Sequence, residues 1–173
     1  LAIGIPVGSL FNIPIRVHLL LLLALLYNWA FYVDLNAPLS WRIGLWLFSF
    51  AALFGSVLLH ELGHCFGSYR VGGTAEQIIL WPMGGLAYTS GVEKGPKEEL
   101  VVTVLGPAVS LALAASFSAI SYALKYFGAN APLWLTIGVQ HLAFLNWMLF
   151  AFNVLLPLFP MDSARILRGL ASL

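Results

Sequence analysis

Charge is scarce in this sequence: Lys, Arg, Asp and Glu make up 9% of 173 residues, against about a quarter in an ordinary soluble domain. Hydrophobic residues account for 61%, so there are too few polar side chains to build a water-facing surface. The formal net charge is only +1, and no cluster of Lys and Arg is interleaved with aromatics, which excludes the footprint of a nucleic-acid binder. A single cysteine, Cys65, rules out an intrachain disulfide and a cysteine-built metal cage. It reads as a small buried apolar residue. Internal repeats and low-complexity tracts are absent as well.

What the chain has instead is four apolar stretches near the ~20 residues needed to cross a bilayer. They predict an all-α integral membrane protein with about four transmembrane helices, in one domain covering residues 1–173. A start at Leu1 rather than Met fits a piece of a longer chain. The spans are expected at about Val17–Val33, Ile43–Tyr69, Leu100–Tyr126 and Leu133–Leu156, with Trp29 and Tyr32 in an interfacial belt. No small-residue cleavage site follows the first stretch, so it reads as a span rather than a signal peptide. Arg16, Arg70, Lys94, Lys97, Arg165 and Arg168 fall on the side of the termini, against Arg42 and Lys125 on the other. The positive-inside rule then puts both termini in the cytoplasm.

Arg70–Glu99 is the polar part of the chain and holds four of its seven acids: Glu76, Glu93, Glu98 and Glu99. Within it, QIILWPMGGLAY (Gln77–Tyr88) is too short to span and is broken by Pro82, Gly84 and Gly85. It predicts a short membrane-dipping loop or β-hairpin between the second and third helices, whose backbone protein or water must satisfy. An exposed strand edge there offers hydrogen bonds to an extended peptide.

The second span ends in HELGH. His60 and His64 stand four apart, on one helix face and one turn from each other, so both imidazoles can reach one metal ion while Glu61 can act as a base on water. Ionisable side chains at bilayer depth cost about 2.5–3.5 kcal/mol each on insertion scales, and a divalent cation is the partner that offsets a cluster of them. Catalytic zinc usually takes three protein ligands. Of the remaining acids, Asp34 lies at the opposite interface and four sit in the polar segment. Asp162 is left, after the fourth span in NVLLPLFPMDSAR, where Pro157 and Pro160 turn the chain. One Zn2+ per chain is therefore expected on His60, His64 and Asp162.

Taken together, IPIRVH (Ile13–His18), HELGH, the Gly84-Gly85 loop, Gly106-Pro107 opening the third span and PMDSARIL (Pro160–Leu167) resemble the site-2 protease family of intramembrane metalloproteases. The resemblance covers nearly the whole chain. It implies a zinc metalloendopeptidase of a prokaryotic cell membrane that hydrolyses peptide bonds in transmembrane segments, with single-span membrane proteins as substrates. It also implies zinc on His60, His64 and Asp162, with Glu61 catalytic. Ser163 and Ala164 stand where the family carries Gly-Gly. Asn153 stands nine residues before Asp162 rather than eight, which leaves Asn153 and Asn146 as candidates for a place near the substrate, beside Gly84 and Gly85. His18 and His141 lack a partner at ligand spacing and read as packing residues. The series Gly44, Ala51, Gly55, Ser56 and the series Ser110, Ala114, Ser118 read as close helix packing. A metal transporter and a non-catalytic family member remain as rivals; a transporter has no need of Glu61 beside His60.

Overall fold

The computed structural model describes residues 4–21, 23, 38–81, 84–91, 95–128, 131–156 and 162–172. Strands β1 (Gly4–Leu10) and β2 (Ile13–His18) open the chain, followed by the long helix α1 (Leu39–Arg70). Strands β3 (Thr74–Trp81) and β4 (Gly84–Ser90) come next, then helices α2 (Pro96–Phe127), α3 (Leu133–Leu155) and α4 (Asp162–Ala171). α1, α2 and α3 are long and apolar enough to cross a membrane, and they match the second, third and fourth expected spans within a few residues. The molecule is a mostly helical, multi-pass membrane protein with a small mixed sheet.

That sheet corrects the all-α expectation. Its order is β1-β2-β3-β4, with antiparallel outer pairs and a parallel β2–β3 pair in the middle. The expected first span begins at about Val17, within β2. The alternation over Ile13–His18 is that of a strand: Ile13 and Ile15 are buried, while Pro14 is exposed and Arg16 half-buried. The β1–β2 turn is made by Phe11 and Asn12, both with positive φ (52° and 63°), the backbone that a tight two-residue hairpin requires. Helical residues begin only at Leu19. Most of the expected first span, with Trp29 and Tyr32, lies outside the described residues, as do Pro82, Pro157 and Pro160. The segment predicted as a loop or hairpin is the β3–β4 hairpin.

One face of the sheet packs on the last turns of α1. Ile13, Ile15, Ile78 and Leu80 from the strands meet Val57, Leu62 and Cys65 from the helix in one buried cluster, and Leu21 joins them. On its other side α1 crosses α2 at very close range. A Cβ added at Gly63 would lie 2.6 Å from the Leu105 carbonyl oxygen, and one at Gly67 2.8 Å from Val102 Cα. Small residues let helix backbones approach this closely. The approach is thus made at Gly63 and Gly67, not at Gly44 and Gly55, around which a Cβ would meet nothing within 4 Å.

Candidate metal centre

The sheet and α2 enclose the end of α1, and the HELGH residues lie in that enclosure. His60, Glu61 and His64 are all buried, and so is Asp162 at the start of α4. His60 Nε2 lies 3.1 Å from Asp162 Oδ2, His64 Nε2 lies 3.2 Å from the same oxygen, and the two Nε2 atoms are 3.2 Å apart. Ligand atoms at ~2.0–2.2 Å from a tetrahedral ion sit about 3.3–3.5 Å from one another. Three buried donors on a nearly equilateral triangle of that size fit one metal ion, and they are a group able to hold one.

The far side of each imidazole is also engaged. His60 Nδ1 is 2.9 Å from Ser110 Oγ, and His64 Nδ1 is 2.9 Å from the Val102 carbonyl, both on α2. A proton on Nδ1, donated to these oxygens, leaves each Nε2 lone pair facing the cluster. Metal-binding histidines are commonly oriented by such a partner. α2 can come near enough only because Gly106 has no side chain: a Cβ there would occupy the His64 ring. Pro107 follows it inside α2 rather than at its opening. Ser110 is thus more than a packing residue; a hydroxyl within α2 carries no sequence signal of what lies across the helix interface.

Asp162 arrives from the other end of the chain. Its buried carboxylate and the two Nε2 lone pairs are three acceptors facing one point, an arrangement that a cation satisfies. Ser163, also buried, donates its hydroxyl proton to the Leu156 carbonyl. That bond ties the start of α4 to the residue after α3, so the serine found in place of glycine anchors the helix start that bears Asp162.

Glu61 is turned away from the three ligand atoms by the ~100° per residue of the helix. Its carboxylate lies beside the Ala87 backbone of β4. Gly85, on the same face of β4, lies so close that a Cβ would run into the Glu61 side chain. Gly84 has φ +145°, a backbone that side chains rarely adopt, and a Cβ there would meet nothing. The two asparagines part company. Asn153 donates to Leu149 O in its own helix, whereas Asn146 is fully buried and donates to Ser56 Oγ on α1 and to Leu142 O. Neither is hydrogen-bonded to the His60, His64 and Asp162 cluster. His18 Nδ1 accepts from the Leu20 N–H, and His141 packs on Phe48.

Fold and site together define a multi-pass membrane protein with a buried His-His-Asp centre. Residues 48–133 match the family described as Peptidase family M50. A zinc metalloprotease of Methanocaldococcus jannaschii is 36% identical over 173 residues, which are 98% of this chain and 46% of that relative. A solved structure, the site-2 protease from Methanocaldococcus jannaschii, superposes with a TM-score of 0.75 at 33% identity, covering 98% of this chain and 72% of the other. The chain belongs to the site-2 protease family, Peptidase family M50. It spans about half the length of the M. jannaschii zinc metalloprotease.

Proposed function

We propose that this chain is the catalytic domain of an intramembrane zinc metalloprotease. The observation that carries the reading is the convergence of His60, His64 and Asp162 on one point, with Glu61 buried beside them and against β4. When bound, zinc supplies Lewis acidity toward water and the scissile carbonyl. Glu61 takes the proton of the attacking water and returns it to the leaving amine. Ser110 and Val102 O keep the two imidazoles in the tautomer that ligates. Among the described residues β4 is the last strand in its sheet and its outer edge is unpaired; an extended peptide paired to that edge lies over Gly84 and Gly85, alongside Glu61. A helical substrate must unwind locally first, because its backbone groups are otherwise bonded within the helix.

The substrates are single-span membrane proteins, and both termini of this chain face the cytoplasm of a prokaryotic cell, as the distribution of Arg and Lys supports. Of the two asparagines, Asn146 is the better candidate near the site. It packs on Ser56, one turn before His60, and its Oδ1 has no hydrogen-bond partner among the described residues. Metal transport would not require a carboxylate set off the ligand triangle and packed against a strand. In Glu61→Gln, zinc content is expected to stay at one per chain while cleavage of a transmembrane peptide falls by a factor on the order of 10²–10⁴. Undiminished cleavage in that variant would remove Glu61 from the chemistry, and loss of zinc would make it a structural member of the centre.

A further inference from the structure

Outside the metal centre, a cleft of about 540 Å³ opens between the end of β4, the start of α2 and α4. Thr89 and Ser90 line it from the strand, Glu99 from α2, and Arg165, Arg168 and Ser172 from α4. Its charges do not balance. Arg168 Nη2 is 2.8 Å and Arg165 Nε 3.9 Å from the same oxygen, Glu99 Oε1. Among the described lining residues two guanidiniums share one carboxylate, an excess of one positive charge. Nothing in the proposed chemistry uses it.

The cleft is joined to the metal centre by β4. Gly85 and Ala87 lie on the strand face that presses on Glu61, and Thr89, two residues further on that face, lines the cleft. Gly85 to Thr89 covers about 13 Å, and Gly85 to Ser90 about 17 Å, at ~3.3 Å per residue. A peptide paired to the free edge of β4 and reacting near Glu61 has a residue four to six positions away at the level of Arg165 and Arg168.

We propose that this cleft receives an acidic side chain of the substrate, four to six residues from the cleaved bond along an extended peptide paired to β4. The inference rests on the protease reading above and adds a substrate class to it: membrane segments with Asp or Glu in the polar flank. A guanidinium is suited to the task, since its fixed fork of N–H donors matches a carboxylate. The strand leading out of the metal centre favours a peptide over a lipid headgroup as the source of that carboxylate.

The test uses the full chain, zinc-loaded, in vesicles of neutral phosphatidylcholine. Transmembrane peptides with uncharged flanks carry a single Asp, or Asn as control, scanned from three to seven residues on either side of the cleaved bond. Asp is expected to lower KM about two- to fivefold relative to Asn at four to six residues on one side, the size of a partly exposed ion pair, with little change in kcat. Arg165→Gln with Arg168→Gln should bring the Asp and Asn peptides to the same KM. Glu99→Gln, which frees both guanidiniums, should widen the Asp preference, a direction opposite to that of a merely structural loss. Zinc content checks that each variant folds, and if the double variant fails that check, Glu99→Gln alone decides.

Equal KM for Asp and Asn at every position, with the uncharged peptide still cleaved, overturns this inference and leaves the protease reading standing. A preference that survives loss of both arginines overturns it too. If anionic phosphatidylglycerol in the vesicles changes cleavage through the two arginines while Asp has no effect, the cleft serves a lipid headgroup. If the wild type cleaves no membrane peptide at all, it is the protease reading that fails.

Discussion

The two halves of α1 have opposite surroundings. From Leu39 to Phe48 the large apolar side chains Leu39, Trp41, Ile43, Leu45, Leu47 and Phe48 are exposed, the state of a helix solvated by lipid. From His60 to Ser68 every described residue except Phe66 is buried. The sheet covers one side of this second half and α2 the other. Lipid gives a helix no directional partner, so the first half needs only length and apolarity. The second half carries three titratable groups that lipid cannot solvate, and each is met from the wall around it: by Ser110 Oγ, Val102 O and the Ala87 backbone. A polar centre in a membrane thus depends less on the helix that bears it than on the walls that close over it.

The same substitution should therefore act very differently in the two halves. Gly63→Leu puts a branched side chain where even a Cβ is 2.6 Å from the Leu105 carbonyl, so α1 and α2 must move apart and His64 leaves its Val102 partner. Loss of bound zinc and collapse of thermal stability are expected, the largest effect in the set. Gly44→Leu meets open space and should leave both as they are. Retention of zinc by Gly63→Leu would show that the close α1–α2 approach is not what builds the centre.

How much of this was legible before the fold depends on the reach of each signal. His60, Glu61 and His64 lie within two turns of one helix, and local periodicity is enough to bring them together. Asp162 could be found because acids are so few that elimination leaves one, though its tie through Ser163 could not. The three described spans followed from apolar length alone. The parallel pairing of β2 with β3 joins residues 63 apart, Arg16 with Ile79 for example, and no local pattern announces it. Nor did composition distinguish Gly63 and Gly67 from Gly44 and Gly55, since what matters is which helix stands opposite. Asn146 and Asn153 were separable only by knowing which faces α1.

The wall can be weakened without changing its shape. Ser110→Ala removes the acceptor of the His60 Nδ1–H and leaves a gap of one oxygen atom. Zinc affinity is expected to fall about 10–100-fold, the usual cost of losing such an outer partner, with Ser110→Thr restoring most of it. Competition with a metal chelator measures this apart from catalysis. An unchanged affinity would mean that helix packing alone orients His60, and that the hydroxyl is incidental.

The smallest effect is expected in the lipid-facing half. Leu47 is 51% exposed, so Leu47→Ala trades side chain–lipid contacts for lipid that flows into the vacated space. A truncation in a packed core costs about 2–5 kcal/mol, because the surroundings relax only partly around the cavity. Acyl chains are as apolar as leucine and are fluid, so no lasting cavity forms and the driving force for burial is absent. The change should stay within about 0.5 kcal/mol, the range of substitutions that touch nothing fixed. Reversible unfolding of the zinc-loaded chain in bicelles measures it, with Leu62→Ala, buried under the sheet in the same helix, as the core reference. A cost for Leu47→Ala near that of Leu62→Ala would mean that protein rather than lipid covers the first half of α1, and the contrast between its two halves would not hold.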